Sequence, residues 1–266
     1  MSFVGREDLQ TVFGAYPWGI CPFSAVQPHL LPVRSRQMLP EDAKSIFVVL
    51  FPYLLHADAY TDQRLSRYAV PADYHVLCGE RLDAMCARLQ TMFPANRFVR
   101  FVDASPVPEV FAAACAGLGA IGKNGLLLTE DYGSWVFIGT VVTDLCVPCE
   151  AATPAACNGC NACIAACPTG ALQEKGLCRE KCLSHISQKR KLTDSDISLL
   201  RAHTVLWGCD RCQTACPQNR RAKITFDETM HSTASCRLDA NDPQRAYAWR
   251  GDAVFRNRTL LETESE

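Results

Sequence analysis

No part of the sequence is a long uninterrupted apolar run, which is the feature that a membrane-spanning helix needs. Such a helix requires roughly 18 consecutive apolar residues, and no stretch reaches that length. The N-terminal segment MSFVGREDLQ carries charges early and lacks the apolar run and small-residue cleavage site of a signal peptide. The sequence therefore predicts neither a membrane span nor export, and we expect a cytoplasmic protein.

The sequence also lacks an excess of charge of either sign. Lysine and arginine number 27, aspartate and glutamate number 28, and the net charge is −1. A protein that binds nucleic acid mainly through charge needs a basic surface to neutralise phosphates. The composition therefore argues against nucleic-acid binding through overall charge and leaves open a local basic patch.

Cysteine, in contrast, is abundant, with 16 residues in a chain of 266. In a small secreted protein this number would indicate disulfides. Here there is no export signal, and many of the cysteines fall in two closely spaced runs. Such spacing in a reducing compartment indicates metal binding.

The two cysteine runs have the spacing of a bacterial ferredoxin. CNGCNACIAACPTGA separates its cysteines by two, two and three residues, GCDRCQTACPQN separates its own by two and three, and both end in Cys-Pro. In that arrangement the last cysteine of each run ligates the other run's cluster. A zinc site uses four thiolates in two pairs, and a Cys-Pro ending is not typical of it. The runs therefore predict two 4Fe-4S clusters.

The second run lacks a first cysteine, so its missing ligand must come from upstream, where Cys178 and Cys182 are the candidates. We assign Cys182. The predicted ligands of the first cluster are Cys157, Cys160, Cys163 and Cys216. The predicted ligands of the second cluster are Cys167, Cys182, Cys209 and Cys212. Most of the other cysteines are interpreted as small buried apolar residues, namely Cys21, Cys78, Cys86, Cys115, Cys178 and Cys236. The pair Cys146 and Cys149 leaves a redox or metal role open.

The hydrophobic pattern predicts an α+β protein. Strands are predicted at residues 45–53, 97–104 and 135–145, where β-branched and aromatic residues cluster. Apolar residues recur at helical spacing from Asp73 to Phe93, and Ser105 before a proline predicts a helix start. Three regions follow: an α/β domain over 1–150, a two-cluster ferredoxin-like domain over 151–225, and a C-terminal arm over 226–266.

A glycine-rich segment, Gly117-Leu-Gly119-Ala-Ile-Gly122, matches the dinucleotide-binding pattern GxGxxG. That pattern should follow a strand and open a helix. Here it follows the helical segment EVFAAACA, so a Rossmann-type site is not predicted. A loop against a large ligand and a simple tight turn both remain open.

The order of motifs along the chain resembles the epoxyqueuosine reductase family. The segments that carry this resemblance are RYAVPADYH (67–75), FVDASPVPE (101–109), AGLGAIGKNGLLL (116–128), GSWVFIGTVVTDL (133–145) and GCDRCQTACPQN (208–219). The resemblance implies an N-terminal α/β corrinoid-binding domain of the nitroreductase/dehalogenase-like kind, followed by the two-cluster domain. It also implies bound cobalamin, a low-potential electron donor, and reduction of epoxyqueuosine in tRNA to queuosine.

The resemblance also implies roles for individual residues. Asp103 corresponds to the proposed proton donor, and burial is expected to raise the pKa of its carboxyl group. From the residues alone, Asp103 would be interpreted as a helix cap together with Ser105. The predicted cofactor-binding residues are Tyr74, His75, Gly117, Gly119, Ile121, Gly122, Lys123, Asn124, Ser134 and Trp135.

The sequence departs from the family pattern at several basic positions. Val110 and Cys115 stand where basic residues are usual, and RYAVPADYHV has lost positive charge. The sequence also ends at Glu266, where longer members continue into a helical-repeat domain that helps to bind tRNA. These departures make a related electrophile an alternative substrate. They also leave open an electron-transfer or corrinoid-reactivating module without its own substrate, and a corrinoid-storing protein.

Overall fold

The structure is a computed structural model, and it describes residues 6–71, 73–232 and 251–262. Cys236 and residues 233–250 of the predicted arm lie outside the described residues. The α-helices are α1 Arg6–Phe13, α2 Phe23–Val26, α3 Tyr74–Met92, α4 Glu109–Cys115, α5 Ala162–Ala165, α6 Leu183–Gln188, α7 Asp194–His203, α8 Arg211–Thr214, α9 Glu228–Ser232 and α10 Gly251–Glu262. The strands are β1 Trp18–Pro22, β2 Ser45–Pro52, β3 Phe98–Val102, β4 Ala120–Ile121, β5 Leu127–Leu128, β6 Val136–Thr143, β7 Leu172–Gln173 and β8 Gly176–Leu177. Short 3-10 helices occupy Gln27–His29, Arg34–Met38, Ala57–Ala59, Arg67–Ala69, Arg179–Lys181 and Pro217–Arg221.

The centre of the molecule is a four-stranded antiparallel sheet in the order β1-β2-β6-β3. Every residue of β2 is buried, because helices cover both faces of the sheet. Successive side chains of a strand point to opposite faces. Phe47, Val49 and Phe51 therefore join one core cluster, and Ile46 and Val48 join the other. This two-sided burial explains why the segment is apolar without alternation.

Helix α3 packs on one face of the sheet and α4 on the other. Leu82 of α3 approaches β6 so closely that a Cβ on Gly139 would lie 2.6 Å from its Cδ1 atom. A side chain at that position would push the helix away from the sheet. The described part of the chain contains no helix that is both long and apolar enough to cross a membrane.

The structure confirms the predicted strands as β2, β3 and β6 and the predicted helix as α3. The edge strand β1 was not predicted. The predicted helix start at Ser105 is wrong, because α4 begins at Glu109. The Ser105 side chain instead accepts a hydrogen bond from the backbone N–H of Val107 at 3.1 Å, so the segment forms a turn that extends the loop after β3.

The cysteine-rich region is built from short helices and turns, and it packs directly on the sheet domain. Backbone bridges join Leu65 to Trp207 and Ile121 to Ala156. A small separate core of Leu183, Ile186, Leu200 and Val205 holds α6 against α7. Farther along the chain, Asp227 forms an ion pair at 2.8 Å with Arg81 of α3, which ties the segment before α9 to the first domain.

Candidate functional site

A cavity of about 810 Å³ lies between the sheet domain and the cysteine-rich region. The sheet contributes Tyr53 and Phe137 to its wall, and the start of α3 contributes Tyr74 and His75. The loop after β3 contributes Asp103. The volume falls within the upper range of small-molecule and cofactor pockets, and it includes the space around the cysteines described next.

The cysteines predicted to hold the second cluster all line this cavity. They are Cys167, Cys182, Cys209 and Cys212. None of the cysteines predicted for the first cluster belongs to the cavity wall. One predicted set of cysteines therefore faces the cavity while the other does not, and their assignment to two clusters stays a prediction.

The cavity-facing thiols differ in their electrostatic environment. Burial raises the pKa of Cys212 to about 12, with the nearby Cys209 and Cys182 adding to the effect. Burial also raises the pKa of Cys209. Burial opposes ionisation of Cys167 as well, but backbone N–H donors, led by that of Leu172, outweigh it and lower its pKa. Iron binding requires thiolates, so assembly of a cluster here releases protons.

Three of the four cysteines predicted for the first cluster influence one another electrostatically. Burial raises the pKa of Cys163, and the thiols of Cys216 and Cys157 act on it from close range. In the parts of the chain that the structure describes, no group of three or more His, Cys, Asp or Glu side chains converges on a single ion. A cubane cluster holds its thiolates farther apart than one zinc ion does, because each sulfur binds a different iron.

Three polar side chains form a hydrogen-bonded row at one side of the cavity. Asp73 caps α3 by accepting the backbone N–H of His75 at 2.8 Å. The same carboxylate oxygen lies 2.7 Å from Nδ1 of His75. On the other side of the ring, Nε2 lies 3.0 Å from Oδ2 of Asp103. The helix cap therefore fixes the imidazole so that it reaches Asp103.

Asp103 has an unusual backbone conformation and an exposed side chain. Its φ is 60°, the left-handed region that Asp and Asn tolerate better than other residues with a side chain. Its side chain is 60% exposed, so the expectation of a buried carboxyl group is wrong. Because α4 begins six residues later, at Glu109, Asp103 is not a helix cap.

The less exposed carboxyl group is that of Glu109, which is partly buried. Its Oε1 accepts the backbone N–H of Asp103 at 2.9 Å. Burial raises its pKa well above the usual range, and the neighbouring Asp103 charge adds to the effect. The hydrogen bond to Asp103 is the main cause that raises the pKa of His75. Burial, followed by the Asp103 charge, raises the pKa of Tyr74.

The predicted cofactor-binding residues fall into two groups. Those that line the cavity are Tyr74, His75, Asn124 and Ser134. Those outside the cavity wall are Gly117, Gly119, Ile121, Gly122, Lys123 and Trp135. A Cβ on Gly119 or Gly122 would collide with atoms of the β4–β5 hairpin, so both positions require glycine. Lys123 forms an ion pair with Glu174 at 2.8 Å. A role for these residues in cofactor binding stays a prediction.

Two residues of the second cysteine run support the Ser134 turn and were not predicted. Gln213 donates hydrogen bonds to the carbonyl and hydroxyl oxygens of Ser134, both at 3.1 Å. Asn219 accepts the backbone N–H of Ser134 at 2.7 Å. A Cβ on Gly133 would lie 2.1 Å from the same Asn219 oxygen, so this turn requires glycine. Their position within the cysteine run gave no sign of these contacts.

Five exposed basic residues lie close in the chain to groups that line the cavity or contact the loop of Asp103, and we call them the basic rim. Residues 181–191 contain no acidic residue, and Ser184 and Gln188 of this segment line the cavity. In an earlier segment, Ser35 donates a hydrogen bond to the carbonyl oxygen of Ala104 at 2.7 Å, next to Asp103. The rim consists of Lys181, Arg190, Lys191, Arg34 and Arg36, which are exposed and form no ion pair within the described ranges.

Two family models match the chain. The model of "Epoxyqueuosine reductase QueG, DUF1730" matches residues 33–104, and that of a 4Fe-4S double cluster binding domain matches residues 156–219. The epoxyqueuosine reductase of Gloeobacter violaceus is 38% identical over 191 residues, which cover 71% of this chain and 60% of that protein. The chain thus spans less than two thirds of the length of this relative.

Solved structures share the fold. An epoxyqueuosine reductase in complex with an epoxyqueuosine-modified tRNA-Tyr stem loop superposes with a TM-score of 0.78 at 24% identity, covering 96% of this chain and 79% of that one. A reductive dehalogenase, whose structure suggests a mechanism for B12-dependent dehalogenation, superposes with a TM-score of 0.50 at 19% identity. The match covers 96% of this chain and 37% of that one. At these identities the likeness concerns the fold.

Proposed function

The chain belongs to the epoxyqueuosine reductase family, and we propose that it is a cobalamin- and iron–sulfur-dependent reductase that converts epoxyqueuosine in tRNA to queuosine. One observation carries this proposal: the cysteines of one predicted cluster and the side chain of Asp103 line the same cavity. An electron source and a proton source therefore face one ligand space. An electron carrier without a substrate has no need of such an acid.

The position of the cysteines supports an order for electron flow. The cluster on Cys167, Cys182, Cys209 and Cys212 is the inner one, because these cysteines line the cavity. The cluster on Cys157, Cys160, Cys163 and Cys216 is the outer one. We infer that a low-potential donor reduces the outer cluster, which passes electrons to the inner cluster and then to the cavity.

The cavity residues fit a cobalamin between the two domains. The wall offers aromatic rings from Tyr53, Tyr74 and Phe137, polar groups from Asn124 and Ser134, and the inner-cluster cysteines. This combination of apolar area with a few polar groups is typical of cofactor pockets. Cobalamin, when bound, supplies a cobalt centre of low potential that carries electrons from the cluster to an electrophilic carbon.

The chain's own residues handle the protons of the reaction. Removal of an epoxide oxygen as water takes up two electrons and two protons. Asp103 is exposed to the cavity, and Nε2 of His75 lies 3.0 Å from its Oδ2. We infer that a proton passes from His75 to Asp103 as Asp103 delivers one to the departing oxygen as general acid, and that the second proton reaches the exposed Asp103 from solvent.

The basic rim supports tRNA as the partner. Its arginine and lysine side chains are exposed, and they flank in the chain residues that line the cavity or contact the loop of Asp103. Phosphate contacts by such residues position a nucleic acid, and their contribution falls with salt concentration. The rim thus supplies locally the positive charge that the overall composition lacks.

The decisive experiment is anaerobic purification with added cobalamin, followed by iron, sulfide and cobalt analysis, cobalt EPR, and turnover of an epoxyqueuosine-containing stem-loop RNA. We expect about eight irons per chain, retained cobalt and formation of queuosine. The same iron without retained cobalt would contradict the cofactor proposal and would leave an electron carrier. Retained cobalt without queuosine would contradict the substrate and would point to a related electrophile.

A further inference from the structure

Asp103 reaches the cavity only through an unfavourable backbone conformation, which something in the fold must maintain. Two contacts hold the rest of its loop: Ser35 donates to the carbonyl of Ala104 at 2.7 Å, and Leu31 donates its N–H to the carbonyl of Pro106 at 2.8 Å. Neither contact reaches Asp103, whose carbonyl oxygen accepts the N–H of Ser105 within the loop. Its N–H is bonded to Oε1 of Glu109 at 2.9 Å.

Glu109 is well placed to hold that conformation. It is the first residue of α4, so the helix fixes its backbone, and its side chain reaches back over the loop to residue 103. It lines the cavity wall. It forms no ion pair within the described residues, and Val110 stands beside it. A partly buried carboxyl group without a cation costs stability, which argues for a role other than stabilisation of the fold.

We propose that Glu109 is a positioning residue that holds the backbone of Asp103 in its left-handed conformation and thereby keeps the Asp103 carboxylate directed at His75 and the cavity. The catalytic significance of this contact rests on the proposed function, because it assumes that Asp103 is the proton donor. The hydrogen bond between Glu109 and the backbone of Asp103 does not depend on the proposed function. Without the hydrogen bond, residue 103 returns to the extended or helical backbone that residues with a side chain prefer, and the carboxylate leaves its place.

Hydrogen exchange of the purified, cluster-loaded protein tests the contact without any substrate. Overlapping peptides across residues 98–108 isolate the Asp103 amide. We expect protection in the wild type, about tenfold faster exchange in Glu109→Ala, and near wild-type exchange in Glu109→Gln, whose amide oxygen still accepts the bond. A wild-type amide that exchanges at the unprotected rate overturns the proposal, and this outcome needs no variant to fold.

Turnover of the epoxyqueuosine stem loop tests the consequence. Displacement of a catalytic group by about 1 Å costs about 10²-fold in rate, so we expect Glu109→Ala to lower kcat by about that factor with little change in KM. We expect Glu109→Gln to restore most of the lost kcat. A purely structural role predicts equal losses of thermal stability and of kcat in both variants, and that result overturns the proposal. If the wild type has no turnover, the proposed function fails while the exchange data still decide on Glu109.

Discussion

His75 lies between two carboxylates, with Nδ1 2.7 Å from Asp73 and Nε2 3.0 Å from Asp103. Asp73 is anchored because it caps α3, whereas Asp103 stands at the cavity. Both hydrogen bonds favour the protonated ring, and that of Asp103 contributes most to the raised pKa of His75. The row therefore favours a proton on the ring next to the carboxylate that faces the ligand space, and Glu109 accepts a hydrogen bond from the backbone N–H of the same aspartate.

Replacement of Asp103 by Asn tests the proton donor. Asn tolerates the left-handed backbone as well as Asp does, so the loop conformation should persist while the acid is lost. General acids contribute about 10²–10⁴-fold to rate. We expect kcat for the epoxyqueuosine stem loop to fall at least about 10²-fold, with unchanged iron and cobalt content.

A matched control is Asp83→Asn, on the surface of α3, where Asp83 pairs with Arg100 at 2.7 Å outside the cavity wall. We expect wild-type turnover from this variant. If Asp103→Asn turned over substrate as fast as Asp83→Asn, Asp103 would not be the acid.

The raised pKa of His75 predicts a pH-dependent stability. A histidine whose pKa is higher in the folded than in the unfolded state stabilises the fold fully below its unfolded pKa, and this contribution is lost as the pH rises through the folded pKa. We therefore expect the gap in Tm between wild type and His75→Gln to be largest near about pH 6 and to shrink toward about pH 9. Thermal unfolding under anaerobic conditions at several pH values measures it.

The control for that series is His29→Gln, because His29 is exposed and lies outside the cavity wall. Its Tm difference from the wild type should not follow the trend of His75→Gln. A gap for His75→Gln that grows with pH would mean that the ring is held neutral, and the proton row would then be wrong.

The sheet could be predicted from the sequence because its strands combine β-branched and aromatic residues over the right length. Strand β2 is buried on both faces, and such a strand forms a continuous apolar run that is easily recognised. The start of α4 was misplaced because Ser105 has a capping side chain and precedes a proline, as real helix starts do. The same side chain also forms a turn, and local sequence does not separate the two outcomes.

The site was only partly predictable for a different reason. Cluster ligands follow from spacing, since the geometry of the cubane fixes the number of residues between thiolates. Burial of a carboxyl group depends on what packs over it from distant parts of the chain. Asp103 and Glu109 are close in sequence, yet the fold exposes the first and partly buries the second.

Replacement of Cys182 by Ser tests the predicted inner-cluster ligand. Cys182 lines the cavity with Cys209 and Cys212, whereas Cys178 does not and donates to Glu180 at 3.6 Å. We expect Cys182→Ser to lose the inner cluster, which lowers the iron content by about four per chain, and Cys178→Ser to keep full iron. Iron and sulfide analysis after anaerobic purification measures both. If Cys178→Ser lost iron and Cys182→Ser did not, Cys178 and not Cys182 would be the inner-cluster ligand.

Charge reversal on the basic rim tests the tRNA contact. Arg190 and Lys191 directly follow the cavity-lining end of α6, and each phosphate contact contributes close to one unit to the slope of log affinity against log salt. We expect the double variant R190E/K191E to bind the stem-loop RNA more weakly and to reduce that slope by about two. Titrations at low and moderate salt measure it.

The matched control for the rim is Lys44→Glu. Lys44 is exposed and directly precedes β2, whose far end leads to the cavity at Tyr53. Eight residues of strand separate the two ends, at about 3.3 Å per residue, so a phosphate bound at the cavity lies beyond its reach. We expect an unchanged salt slope for Lys44→Glu. Equal slopes for all three proteins would place the RNA elsewhere. A reduction in Lys44→Glu about half as large as that in the double variant would reveal a nonspecific effect of net charge, because one charge reversal is compared with two.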